Sequence, residues 1–496
     1  MSEGSNRRDF IKYTAATGMG FWVAARKTAA QEATSSKSPN ERINIACVGV
    51  GGKGQSDSEQ ASEVGRVVAI CDVSDDTLDR RMAYKARDGS YPFLKARRFH
   101  DFRKMFDRMG KDFDAVTVSI PDHNHAVVAM MGIKNKKAVY CQKPLAHYVA
   151  EARALRLAAE ENKVATQMGN QGTAENGLRE AVEVVQAGGI GPVKEVHIWT
   201  NRPIWPQAPM FLNRPMNVDD VPEELHWDEF IGPGPFRPFV QKAVDSEGKE
   251  RNNVYQPFNW RGWWDWGTGA LGDMGCHTAN MPYMALKLYE VHPTTLQAES
   301  GIINFETYPS WAHVTFEFPA RGEMPPVRVN WYEGHKDGKV VQPPDELKEQ
   351  VLSEYRKHQT RTDPRHANVK KLADSGCILV GEKGIIYSPN DYGAAYAMLP
   401  DAEFANYQKP PQTLPRNGEG DLGMKKEWVA AIKGGPPAMS NFNYSARLSE
   451  FILLGNVAIR AGAQHPLQWD GEAMKVTNWP EANAFLKREY RKGYEL

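Results

Sequence analysis

The run INIACVGV (43–50) passes directly into GGKG (51–54), and this junction constrains the fold more than any other stretch. A continuous apolar strand is buried on both faces, as in a parallel sheet covered by helices. Gly49, Gly51 and Gly54 fall on the G-x-G-x-x-G spacing, with Gly52 between them. Glycine serves such a turn because the backbone must bend tightly, approach a pyrophosphate and let the next helix pack on the strand. The N–H groups at the start of that helix then face the phosphates. Asp72 closes the next strand, GRVVAICD. A carboxylate there accepts hydrogen bonds from both ribose hydroxyls and repels a 2′-phosphate, which favours NAD. Arg80 and Arg81 lie close enough in sequence to keep NADP as the alternative.

Further strands at DAVTVSIP (114–121) and KKAVYCQKP (136–144) alternate with helical stretches. This pattern predicts βαβ units in a doubly wound parallel sheet, a Rossmann domain over residues 43–165. The remainder reads differently. A helical piece over 176–186 leads to strands at VKEVHIWT, TTLQAESGII, AHVTFEFP and PVRVNWYE, with fewer helices between them. The expectation is α/β overall: a C-terminal α+β domain over 166–480 with an open, mostly antiparallel sheet. This second domain is expected to carry substrate binding and oligomerisation, with a charged insertion at about 334–375 and a tail over 481–496.

A chain of 496 residues is long enough for these two domains. Lys+Arg and Asp+Glu both total 61, so no net field draws nucleic acid or an anionic membrane surface. The five cysteines form no C-x-x-C pair, so neither a zinc site nor a disulfide framework is signalled. Arg7 and Arg8, followed by Phe10, Ile11 and Lys12, resemble a twin-arginine export signal over residues 1–30. The apolar run behind them is too short to span a bilayer. The expected location is therefore the periplasm or cell envelope, reached through the twin-arginine translocase, with no membrane span.

Two stretches carry candidate chemistry. VYCQKPL (139–145) sets Lys143 at the carboxyl end of a parallel strand, where such sheets bind ligands. GDMGCHTANM (272–281) sets Asp273 and His277 four apart, on one face of a helix. An ammonium and an imidazole that reach one hydroxyl suit alcohol oxidation: the His removes the proton while the Lys polarises the oxygen. With GVGGKG and the strand end SIPDHNH (119–125), these stretches resemble the glucose–fructose oxidoreductase/inositol dehydrogenase/MocA family from Ile43 onward. The resemblance implies that Lys143, His277 and Asp273 carry catalysis. It implies that Ser119, Pro121, His125 and Gln142 join Lys143 and the glycines around the nucleotide. Gln142 stands where the family has glutamate, and Asn280 where it has a second acid. Asn280 is expected to orient a substrate hydroxyl. His123 and His125, beside Asp122, form an H-x-H whose expected place is beside the nicotinamide, with no metal.

NRPIWPQ (201–207) and FNWRGWWDWGTG (258–269) are rich in tryptophan. Indoles stack on the C–H faces of sugars, and Arg or Asp bind their hydroxyls. Arg202, Trp205, Trp263 and Trp264 are the expected sugar contacts. An exported dinucleotide enzyme has no external NAD pool, so the nucleotide is expected to be held tightly and regenerated in the same site. The favoured expectation is an exported NAD-dependent oxidoreductase acting on a sugar or glycoside, assembled as a homo-oligomer. A redox-neutral NAD-dependent glycosidase, working by transient oxidation and elimination, is the alternative. A nucleotide-loaded sugar-binding protein without catalysis is the third.

Overall fold

The computed structural model describes residues 42–203 and 210–496. The expected export signal and Trp205 lie outside the described residues. Six parallel strands make the first sheet: β1 (Asn44–Val48), β2 (Arg66–Cys71), β3 (Arg97–Phe99), β4 (Ala115–Val118), β5 (Ala138–Cys141) and β6 (Thr166–Met168). Their order is β3-β2-β1-β4-β5-β6, with the reversal between β1 and β4 that opens a ligand crevice in Rossmann sheets. Every residue of β4 and β5 is buried, in keeping with strands that show no alternation. The three-residue strands β3 and β6 escape a sequence pattern because they are shorter than any period to be read.

The second sheet has ten strands among the described residues. They are β7 (Val193–Thr200), β10 (Thr295–Ser300), β11 (Trp311–Phe318), β12 (Val327–Lys336), β13 (Lys339–Val340), β14 (Gly376–Gly381), β15 (Ile385–Ser388), β16 (Ala397–Leu399), β17 (Leu467–Asp470) and β18 (Lys475–Val476). A separate hairpin pairs β8 (Lys242–Val244) with β9 (Glu250–Asn252). The β7–β12 pair is parallel and its neighbours are antiparallel. β11 alternates between buried and half-buried residues, so one face of the sheet is covered and the other is more open. Segment 334–375 contributes the end of β12, β13 and an 18-residue helix, Asp345–Thr362, that fully buries only Val351.

The helix Phe442–Ala461 joins the two halves. Asn441 caps it through Asn443 N–H, and Gly462 ends it in the left-handed region at φ 59°. It is apolar on nearly every side and packs against helix Val149–Asn162, helix Gly269–Thr278 and β10. Ile452, Leu453 and Leu454 are buried on it, each contributing about 1.5–3 kcal/mol. Gly455 lets helix Gly269–Thr278 approach closely, since a Cβ there would lie 2.3 Å from Leu271. This contact sets the position of the helix that carries Asp273 and His277. Among the described residues, no helix is long and apolar enough to cross a membrane.

Candidate active site

The glycine turn has the shape a pyrophosphate requires. Gly49 sits at φ 79°, and a Cβ on it would lie 2.2 Å from the Ser119 carbonyl oxygen. A Cβ on Gly54 would lie 2.2 Å from the Gly49 carbonyl oxygen, so this glycine allows helix Lys53–Val64 to close on β1. Gly51 runs beside Thr77, while Gly52 starts the helix with open space where a side chain would be. Asp72 accepts hydrogen bonds from Val50 N–H (2.9 Å) and Ser74 N–H (3.1 Å), one on each carboxylate oxygen. Burial pushes the Asp72 carboxyl up, against these backbone donors. Arg81 donates to Glu59 at 2.8 Å and lies over Tyr84, which occupies it within the protein. The open cradle and its acid therefore fit NAD.

Lys143 leaves the end of β5 and donates to the Asp273 carboxylate at 2.9 Å and to its backbone carbonyl at 2.8 Å. Arg261 adds a second cation 3.5 Å from the same carboxylate oxygen. Burial would raise Asp273, but Lys143 and then Arg261 hold it well below the usual carboxylate range. His277, one turn along the helix, is 5% exposed and meets the Tyr392 ring edge-on at 4.9 Å. Burial, and then the Lys143 ammonium, keep its imidazole neutral, well below its ordinary value. The charges of Lys53 and Arg202 bear on it as well. A neutral imidazole beside an ammonium is the protonation pattern a base-and-polariser pair needs. Asp122, at the start of helix Asp122–Lys134, accepts from Thr268 Oγ1 at 2.6 Å. Its carboxyl is pushed up to about 7 by burial, against the pull of Thr268, Arg261 and Lys143.

A negative charge stands directly behind Gln142. Its amide donates to Asp57 at 2.8 Å. Asp57 also accepts from Ser119 Oγ (2.8 Å), Lys53 (3.0 Å) and the fully buried Lys425 (2.8 Å). Burial works to raise Asp57; Lys425 and then Lys53 outweigh it and hold the group ionised. Nothing local in the sequence marks this pair, because Lys425 lies 368 positions from Asp57. Tyr392 and Asp122 likewise gain their place beside Lys143 and His277 through tertiary contacts alone.

Other expected contacts fall elsewhere. Trp263 and Trp264 are 2% and 4% exposed and do not form a stacking platform. Trp263 donates to the Val254 carbonyl inside a cluster with Phe211 and Tyr255, and Trp264 donates to Asn304 and packs on Tyr308. Their apolar area is worth more inside an aromatic core than at a wet surface. Asn280 is fully buried between Thr173, to which it donates at 2.9 Å, and Tyr444, whose hydroxyl donates to it at 2.7 Å. Its amide is thus held within the protein and not offered to a hydroxyl. The ring of His125 bridges the carbonyls of Ile120 and Pro144, both at 2.7 Å. It staples the Ser119–Pro121 turn to the Lys143 loop, with both ring nitrogens on protein carbonyls; burial pushes it down to about 4. His123 bonds the Phe230 carbonyl instead, at 2.9 Å. Arg202 remains half-buried near His277.

The family model for "Oxidoreductase family, NAD-binding Rossmann fold" matches residues 43–170. The one for "Oxidoreductase family, C-terminal alpha/beta domain" matches residues 204–324. The chain belongs to the Gfo/Idh/MocA family of NAD-binding oxidoreductases. A glycosyl hydrolase family 109 protein of Solibacter usitatus is 30% identical over 154 residues, 30% of this chain and 34% of that protein. Inositol 2-dehydrogenase 3 of Saccharopolyspora erythraea is 28% identical over 168 residues, 34% of this chain and 47% of that protein. The chain thus spans between a third and a half of these curated relatives. The WlbA dehydrogenase of Bordetella pertussis, solved with NADH and UDP-GlcNAcA, shares the fold at a TM-score of 0.51 and 14% identity. That match covers 86% of this chain and all of that one.

Proposed function

We propose that this protein oxidises a hydroxyl of a sugar or glycoside and is exported folded, with its nucleotide held tightly. The observation that carries the proposal is the contact between Lys143 and Asp273 beside a neutral, buried His277. Bound NAD supplies the hydride acceptor. The glycine turn and Asp72 hold the pyrophosphate and ribose ends. Lys143 donates a hydrogen bond to the substrate oxygen and stabilises the charge that grows there. His277 takes the hydroxyl proton, and Asp273 positions Lys143 while anchoring Arg261. Tyr392, whose ring meets His277, and Arg202, whose charge bears on it, are the candidate sugar contacts, with Trp205 a further candidate by sequence.

The matched glycosyl hydrolase family 109 protein favours a second reading on the same residues. Oxidation of a ring hydroxyl acidifies the adjoining C–H; loss of that proton to a base expels the glycosidic oxygen, water adds across the double bond left behind, and the hydride returns to the carbonyl with no net redox change. Mass spectrometry of the supernatant from denatured, export-purified protein tests the resident nucleotide. About one NAD(H) per chain is the expected result, and an empty protein would overturn tight retention. Sugar oxidation by the loaded protein supports the first reading. Release of free sugar from a glycoside without accumulating NADH supports the second.

A further inference from the structure

Asp75, His100 and His226 meet beside the adenosine end of the cradle. Asp75 opens helix Asp75–Met82, which Ser74 caps, and His100 follows β3. His226 comes from the second half of the chain, just before helix Trp227–Ile231. Its segment is stitched to the β2 end: Asp75 N–H donates to the Glu224 carbonyl (2.9 Å), and His226 N–H to the Val73 carbonyl (2.8 Å). The two imidazoles stack, with centroids 3.7 Å apart and planes 19° from parallel. His100 Nε2 lies 3.4 Å from one Asp75 carboxylate oxygen, and His226 Nε2 lies 3.3 Å from the other.

The tautomer of His100 follows from its other nitrogen. Nδ1 is 3.3 Å from the Asp72 backbone carbonyl, which only accepts, so Nδ1 carries the hydrogen. A neutral ring then turns the bare lone pair of Nε2 toward a carboxylate oxygen. Lone pair against lone pair calls for a positive centre. His226 can donate from a neutral ring, so His100 is the group left to satisfy; one cation serves all three groups once the stacked rings splay and their lone pairs converge. An imidazole that donates its remote N–H to a carbonyl is also how a metal-bound histidine is normally oriented. Each separation runs to a different Asp75 oxygen, and each is near the spacing of two ligand atoms that share an ion at bonds of ~2.0–2.1 Å. Two imidazoles with one carboxylate suit zinc and its first-row neighbours over the oxygen-seeking Mg²⁺ and Ca²⁺. The three side chains are about a third exposed, which leaves an entry path and a fourth position for water. Arg98 also reaches Asp75, at 3.3 Å, but has Asp79 as its shorter partner at 2.6 Å.

We propose that Asp75, His100 and His226 form a site for one divalent first-row transition ion, of which Zn²⁺ is the type. Bound there, the ion would pin the Glu224–His226 segment across the turn that follows Asp72. The site is independent of the oxidation chemistry and goes beyond the proposed function. No spacing in the sequence announces it, since its residues stand at positions 75, 100 and 226.

Full-length protein stripped with a chelator and titrated with Co²⁺ should develop visible d–d bands that saturate at one ion per chain. Zn²⁺ should displace them and raise the melting temperature. His226→Ala and Asp75→Asn should weaken Zn²⁺ binding by more than the roughly 10–100-fold that losing an outer hydrogen-bond partner costs. His465→Ala, at a half-buried histidine elsewhere, should bind as the parent does. Circular dichroism of each variant confirms that it is folded. Absent cobalt bands, or bands that persist at full affinity in folded His226→Ala, would overturn the site. So would a titration of His100 or His226 by NMR that shows a stable imidazolium in the presence of Zn²⁺.

Discussion

The Lys143 ammonium raises the cost of charging His277. Because burial and that ammonium keep His277 neutral, the base stays available well below its ordinary pKa. The acid limb of kcat/KM should therefore lie below the pH of about 6.5 that an exposed histidine would give. A limb near 7 that Asp122→Asn removes would assign the titration to Asp122 instead. Lys143→Ala and His277→Ala should each lower kcat by about 10²–10⁴-fold. Both should keep their nucleotide, since neither holds the pyrophosphate; unchanged turnover in both would remove them from the chemistry. Lys143, Asp273 and His277 were singled out as candidates from the chain because each sits in a short stretch with a distinctive local context. Asp57 was not, since an acid within a helix has no distinguishing pattern until Lys425 and Gln142 arrive from elsewhere.

Elements carry the next layer of constraint. Helix Gly420–Ile432 sends Lys425 into the Rossmann half, where it meets Asp57 with neither group exposed. Removing one partner of a buried pair leaves a charge uncompensated. Lys425→Met should cost about 3 kcal/mol, the lower end for such a loss because Lys53 still faces Asp57. Adding Asp57→Asn should recover part of it, read as a shift in the denaturation midpoint. A negligible effect of the single change would show that the pair does not hold the halves. The approach of helix Lys53–Val64 to β1 makes a similar demand. Gly54→Ala forces a Cβ against the Gly49 carbonyl and should destabilise by ~1–3 kcal/mol while reducing retained nucleotide. Gly418→Ala, with no atoms near its added Cβ, is the control. The glycine spacing announced the first of these contacts; the second depends on a helix some 370 residues further along the chain.

Across the whole molecule, stability responds to pH through groups that folding takes out of water. Glu333 on β12 accepts from the Trp331 indole at 2.7 Å, and burial pushes its carboxyl from 4.5 to about 8. A raised carboxyl pKa means that the folded state binds the extra proton. Its stabilising effect is complete below about 4.5 and is lost as pH rises toward 8. Glu333→Gln stays neutral throughout, so its melting temperature should gain on the parent steadily between pH 5 and 8. Parallel curves would show that Glu333 is ionised in the folded protein. The α/β class, the Rossmann half and its NAD site could be read along the chain, because apolar periodicity, glycine spacing and strand-end residues act within about thirty positions. Trp263, Trp264, Asn280 and His125 have protein partners that no local pattern announced, for the opposite reason. Whether an indole, an amide or an imidazole faces a ligand or a core depends on partners such as Tyr308, Tyr444 and Pro144, which only long-range packing brings to it. The same packing assembled Asp57 with Lys425 and Asp75 with His100 and His226, from segments whose separate sequences carry no mark of one another.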